Sequence, residues 1–275
     1  MGEFFGFGGY SREPEGYMSW QHLVFVSTLM AIMVALAVVL GIKNKNKEDK
    51  IKNKVLIWAA ILIDGFELLK IVLICFRSKD AMAWLQMLPL FLCSIQLIAI
   101  PLAAFSKGRV REAALDFVFI FGILGAVLGT YGAGQNYACY PVLSFDNVVS
   151  GITHAISGFA SLYIGISKMT SMKVKNIWIT TCILFAFCIM AYVANVLIDY
   201  NYMFLMRGDG TPYDILFNLV KGSPVLYPIG VVLLFVLYLS IFYLVFLIVK
   251  KVKAKKLAES EGENQPDKEQ DKASV

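Results

Sequence analysis

The stretch SWQHLVFVSTLMAIMVALAVVLGIKNKNKEDKIKNK, residues 19–54, decides the fold of this chain. Its first part is an apolar run ending at Gly41, long enough at about 1.5 Å per residue to cross roughly 30 Å of hydrocarbon. Its second part packs Lys43, Lys45, Lys47, Lys50, Lys52 and Lys54 into one short segment. An apolar block followed by a basic loop reads as a membrane span whose following loop is cytoplasmic. The segment ahead of it carries Glu3, Glu13 and Glu15 against a single Arg12. That acidic lead does not suit a cleavable signal peptide, so the block is expected to stay as a helix.

Outward from this stretch the same pattern recurs. The 275 residues are 58% hydrophobic and 16% charged, too apolar for a soluble domain of this length. Seven blocks of about twenty residues are expected to span the membrane: 19–41, 55–76, 84–105, 112–131, 147–166, 177–198 and 224–249. Basic residues crowd into every second connection: Lys107, Arg109 and Arg111, then Lys168, Lys173 and Lys175, then Lys250, Lys251, Lys253, Lys255 and Lys256. The expected fold is therefore an all-α, seven-helix transmembrane bundle, amino terminus outside and carboxyl terminus cytoplasmic. The net charge of +5 belongs to this topology and does not point to nucleic acid. Residues 1–18 form an extracytoplasmic segment, 19–250 the membrane domain, and 251–275 a disordered cytoplasmic tail.

Cys93, Cys182 and Cys188 fall inside expected helices, while Cys75 and Cys139 fall near the outer face, the one place the spacing leaves open to a disulfide. No zinc-type spacing occurs, and neither a metal nor a cofactor is expected.

Polar residues within spans are costly and mark the first places to look for chemistry. In the fifth span Asn147, Ser150, His154, Ser157, Gly158 and Ser161 recur at helical spacing. Close helix packing accounts for the small ones. His154 is the only histidine within the membrane and has a proton to place near neutral pH. Gln86, Pro89, Cys93 and Gln96 share a side of the third span, and Cys188, Tyr192, Asn195 and Asp199 a side of the sixth. Cys93 and His154 lie about nine and seven residues below their outer ends, roughly 14 and 11 Å deep. A thiol and an imidazole at one depth are the minimum apparatus for nucleophilic acyl transfer. Gln96 and Asn195 are candidate amide donors to an oxyanion. The second span carries Asp64, Glu67 and Lys70; the last two are spaced for an ion pair, and Asp64 or Glu67 is a candidate to steer the imidazole. His22, at the outer start of the first span, suits an interfacial role or a site role equally.

The segment LPLFLCSIQLIAIPLA, Leu88 to Ala103, resembles the third-helix signature of the YwaF-like family of bacterial integral membrane proteins. So do His22 with Leu23, His154, Asn195, the stretch NYMFL from Asn201 to Leu205, and SPVLYP from Ser223 to Pro228. That family is similar to a eukaryotic multipass protein regarded as a cysteine-dependent phospholipid acyltransferase. It is more distantly similar to membrane hydrolases of lipid esters that use threonine and histidine. The resemblance implies that Cys93 is a nucleophile and His154 its base. It also implies membrane phospholipids or lysophospholipids as partners, and the bacterial plasma membrane as location. Bacterial relatives often carry a histidine where this chain has Phe91, so a contribution from that histidine would be missing here. The expected function is a lipid acyltransferase or lipid-ester hydrolase. The rival is a small-molecule or ion transporter in which Asp64, Glu67, Lys70 and His154 line a path. A retinal-type protein is disfavoured, because no lysine lies between Pro224 and Val249.

Overall fold

A computed structural model describes residues 2–170 and 172–263 and is all-helical among them. Seven principal helices follow in order: α1 Trp20–Asn44, α2 Asp49–Ser78, α3 Gln96–Phe105, α4 Gly108–Thr130, α5 Phe145–Ile166, α6 Ile177–Ile198 and α7 Leu226–Glu263. Short helical turns at Gly2–Phe5, Ala83–Met87, Gly134–Cys139 and Tyr213–Leu219 join or flank them.

Five of these helices, α1, α4, α5, α6 and α7, are long and apolar enough to cross a membrane. The two other expected spans take different forms. Helix α2 is continuous over 30 residues, about 45 Å, but carries Asp64, Glu67 and Lys70 along its length. The third expected span, 84–105, is broken. Only its second half, α3, is regular helix; its first half is a 3-10 turn followed by the irregular run Leu88–Ile95. Pro89 explains the break, since it donates no amide and forces the preceding residue out of the helical region. Leu88 is accordingly extended, at φ −58° and ψ 146°. Ser94 then takes the local alternative to a helix: its Oγ accepts from the Phe91 amide at 3.0 Å.

The break is held from outside. The Tyr202 hydroxyl donates to the Leu85 carbonyl and accepts from the Leu88 amide at 3.1 Å. Tyr202 is itself fixed by Asn195, whose Oδ1 accepts from the Tyr202 amide at 2.6 Å and whose Nδ2 donates to the Tyr202 carbonyl at 3.0 Å. Non-helical backbone at membrane depth is tolerated only where protein groups replace the lost ladder, and this relay supplies them.

Helix α5 is central, packing against α1, α2 and α4, while α3 wedges between α2 and α4. The Ser157 and Ser161 hydroxyls donate across to the α4 carbonyls of Gly122 and Phe119, at 3.2 and 2.7 Å. The small residues of the fifth span thus serve helix packing.

The segment before α1 folds back as a strap across one end of the bundle. Arg77, at the end of α2, makes a bidentate pair with Asp146 at the start of α5, at 2.7 and 2.9 Å. The Tyr10 hydroxyl donates to the same carboxylate. Glu15 accepts from the Val142 amide at 2.8 Å. At the opposite end α7 continues as helix to Glu263, past the start of the tail expected at 251. The Lys-, Ala- and Glu-rich run there is made of good helix formers. Residues 264–275 of that expected tail lie outside the described residues. All five cysteines are free, so Cys75 and Cys139 do not bridge.

Candidate active site

Cys93 sits in the irregular run just ahead of α3, and His154 sits two turns into α5. The break in the third segment and the regular helix of α5 set the thiol and the imidazole against the same face of α4, one turn apart along it. Both residues are half-buried. The His154 ring orientation follows from its own helix, because Nδ1 lies 2.7 Å from the Ser150 carbonyl oxygen. A carbonyl only accepts, so Nδ1 carries the hydrogen and Nε2 carries the lone pair. That is the tautomer required of a base toward a thiol.

Helix α4 provides the seat. Gly125 and Gly129, one turn apart, face Cys93 and His154 respectively. A Cβ at Gly125 would lie 3.2 Å from both Cα and Cβ of Cys93. A Cβ at Gly129 would overlap the His154 ring at Cδ2 and Nε2. Glycine at these two positions is what lets the pair lie flat against α4.

Gln96 opens α3 one turn after Cys93, and its amide donates to the Cys93 carbonyl at 3.4 Å. Its side chain is 0% exposed, yet neither Oε1 nor Nε2 has a hydrogen-bond partner among the described residues. An unmatched buried polar group costs about 1–3 kcal/mol.

The TMEM164 family pattern matches residues 17–254, all of the helical bundle from α1 into α7. This chain belongs to the TMEM164 family. It is therefore an integral, multi-pass membrane protein. No curated protein and no solved structure matches it.

In this member of the TMEM164 family the remaining candidates fall into distinct places. Glu67 and Lys70 form the expected ion pair at 2.8 Å. Asp64 makes no hydrogen bond or ion pair with the described residues, and it does not orient the imidazole; the Ser150 carbonyl does. A carbonyl four residues back on the same helix is simply closer than any carboxylate of α2. Asn195 is committed to the Tyr202 backbone and so supports the break. Asp199 is exposed, capping α6 with a left-handed φ of 50°. His22 is fully buried. Its Nδ1 accepts from the Met18 amide at 3.2 Å and its Nε2 donates to the Thr130 carbonyl at 3.2 Å, which ties the strap to α4. Phe91 packs in a ring cluster with Tyr202, Phe204 and Tyr200, at centroid distances of 5.1, 6.0 and 6.2 Å.

Two features escaped the sequence reading. The glycine seat was visible only as a Gly-rich fourth span, although the spacing of Gly125 and Gly129 placed both on one face. Asp116 is buried in α4 near the tail end of the bundle. It accepts from Tyr243 at 2.9 Å, from Asn176 at 3.4 Å and from the Thr170 hydroxyl, joining α4, the lead-in to α6 and α7. Its one sequence signal was a single acid within an otherwise apolar run.

Proposed function

We propose that this protein is a membrane lipid acyltransferase or lipid-ester hydrolase that works through Cys93 and His154. The observation that carries the reading is the His154 tautomer: Nδ1 is committed to Ser150, so Nε2 is free to take the Cys93 proton. In the first half-reaction Nε2 accepts that proton and the thiolate attacks an ester carbonyl. The ester C–O bond breaks, the alcohol leaves with the proton returned by His154, and an acyl-thioester remains. In the second, a lysophospholipid hydroxyl or water gives its proton to Nε2 and attacks the thioester. The C–S bond breaks and the thiol is restored. The resemblance of Leu88–Ala103 and His154 to YwaF-like proteins supports the same assignment. The bundle crosses a bacterial plasma membrane seven times, amino terminus outside, so the site opens toward the outer leaflet.

The test is intact-mass analysis of purified protein incubated with phospholipid. Wild type should gain one acyl chain that hydroxylamine removes, and Cys93→Ala and His154→Ala should gain none. No adduct in wild type, together with unchanged lipid profiles in cells expressing the variants, sinks the reading. One observation favours a transporter instead: Asp64 is half-buried on α2 with no hydrogen-bond or ion-pair partner among the described residues. Altered ion uptake in Asp64→Asn, with no acyl adduct on Cys93, would establish that alternative.

A further inference from the structure

We propose that Asp116, the Asn176 side-chain carbonyl and the Thr170 hydroxyl bind a monovalent metal cation at the tail end of the bundle, and that this cation fastens α7 to α4. The site is separate from Cys93 and His154, because more than two turns of α4 lie between Asp116 and Gly125. The case begins with a charge. Asp116 is 1% exposed, and the groups that donate to it, Tyr243, Asn176 and Thr170, are neutral. The acid one turn earlier, Glu112, takes Lys173 for itself at 2.7 Å. No Lys, Arg or His among the described residues forms an ion pair with Asp116. Buried charges are paired or coordinate metals.

The second observation is an acceptor with nothing to accept. Asn176 is 0% exposed, and both hydrogens of its amide are placed, one on Asp116 Oδ2 at 3.4 Å and one on Glu112 Oε2 at 3.2 Å. Those bonds fix which end of the amide is nitrogen. They leave Oδ1 buried with no hydrogen-bond partner among the described residues. Because Nδ2 touches the Asp116 carboxylate, Oδ1, bonded to the same carbon, sits beside it. A fitting ligand brings positive charge to Asp116 and takes an electron pair from Asn176. A proton on Asp116 does only the first. It runs through the Tyr243 hydroxyl to Thr180 Oγ1 at 3.3 Å, whose own hydrogen goes to the Asn176 backbone carbonyl at 3.1 Å, and Asn176 Oδ1 stays unmatched. A water molecule does only the second. A metal cation does both, and hard cations take oxygen donors of these kinds. Thr170 Oγ1 gives its hydrogen to Asp116 and accepts from the Met172 amide at 3.3 Å, which leaves it one lone pair for the ion. One uncompensated carboxylate calls for a single positive charge. By keeping that carboxylate ionised, the ion keeps Tyr243 of α7 bonded to a charged acceptor, the stronger kind of hydrogen bond.

The test is thermal unfolding of purified protein in zwitterionic lipid nanodiscs, with NaCl or KCl replacing choline chloride at constant ionic strength. Wild type should be stabilised, saturably, by at least one of the two salts over choline chloride, and the salt with the lower half-effect concentration names the ion. Asp116→Asn keeps the shape and drops the charge. It should unfold in choline chloride no more easily than wild type, and it should lose the response to sodium and potassium. Asn176→Leu keeps the charge and removes one ligand, and it should raise the half-effect concentration at least about tenfold. That variant decides the matter if Asp116→Asn does not fold. The proposal fails if neither salt differs from choline chloride in wild type, or if the response survives Asp116→Asn. It fails equally if Asn176→Leu leaves the half-effect concentration where it was, the result expected if Asn176 Oδ1 meets only a buried water. None of these readouts depends on Cys93, so they stand or fall apart from the acyl chemistry.

Discussion

At the scale of single residues, the chain divides its polar side chains between work on the backbone and work at the thiol. Asn195 belongs to the first kind: both ends of its amide are bonded to Tyr202. Asn195→Ala leaves a buried N–H and a buried C=O unpaired, and it should lower the unfolding free energy by about 2 to 4 kcal/mol. Denaturant unfolding in lipid nanodiscs measures this; an unaltered midpoint would return Asn195 to the list of idle amides. Tyr10 gives the pH counterpart. Burial first, then its hydrogen bond to the Asp146 carboxylate, pushes its hydroxyl up from an ordinary value of about 10 to about 12. The fold thus favours the neutral phenol, and the stability it lends is whole below about pH 10 and lost as pH rises through about 12. Proteolysis within residues 2–18 should accelerate across that window, and Tyr10→Phe should remove the step. His154 stood out in the sequence as a candidate because an imidazole in a membrane has few bland explanations. The roles of His22 and Asn195 were not, because each depends on backbone groups of other elements that no spacing rule brings near.

At the scale of elements, the spans were legible and the break was not. Block length and loop charge suffice to find apolar helices, since both act through the bilayer. Whether Leu88–Ile95 would be helical depended on Pro89 and on a tyrosine more than a hundred residues later in the chain. Periodicity therefore grouped Gln86, Pro89, Cys93 and Gln96 on one helical face where the structure has no continuous helix. Cys93 and His154 still lie against one face of α4, because depth, unlike register, tolerates a local unwinding. The glycine seat turns the same point into a prediction. Gly129→Ala adds a methyl group where the His154 ring lies, with the backbone of α5 behind it, so the ring must leave its place opposite Cys93. Acyl loading of Cys93 should fall at least about a hundredfold, the scale on which misplacing a catalytic group is felt. Gly125→Ala meets Cys93 at 3.2 Å, which a shift of a few tenths of an ångström relieves, and should cost far less. Equal effects of the two substitutions would show that α4 packing in general, and not ring placement, is being measured.

At the scale of the whole molecule, the ends of the bundle are built differently, and the difference bears on which way it faces. One end is closed by the strap, with Arg77, Asp146 and Tyr10 clamped together and His22 sewn to Thr130. The other carries the lysine-rich connections, the Asp116 cluster and the long basic end of α7. Lys and Arg are retained on the cytoplasmic side during insertion, so the strap end should face outward. Cys139 reports on this directly. It is free, exposed and at the strap end, whereas Cys182 is exposed only along the apolar surface of α6, where a charged reagent has no access. A membrane-impermeant maleimide added to intact cells should label the protein, and Cys139→Ser should abolish most of that label. Labelling that appears only after permeabilisation would reverse the bundle. Reversal would leave the spacing of Cys93, His154 and Gln96 untouched, since it is set within the fold, but would turn the site toward the cytoplasmic leaflet. On the proposed lipid chemistry, the orientation therefore decides which leaflet would supply the substrate, while the helix packing sets the geometry of the site in either case.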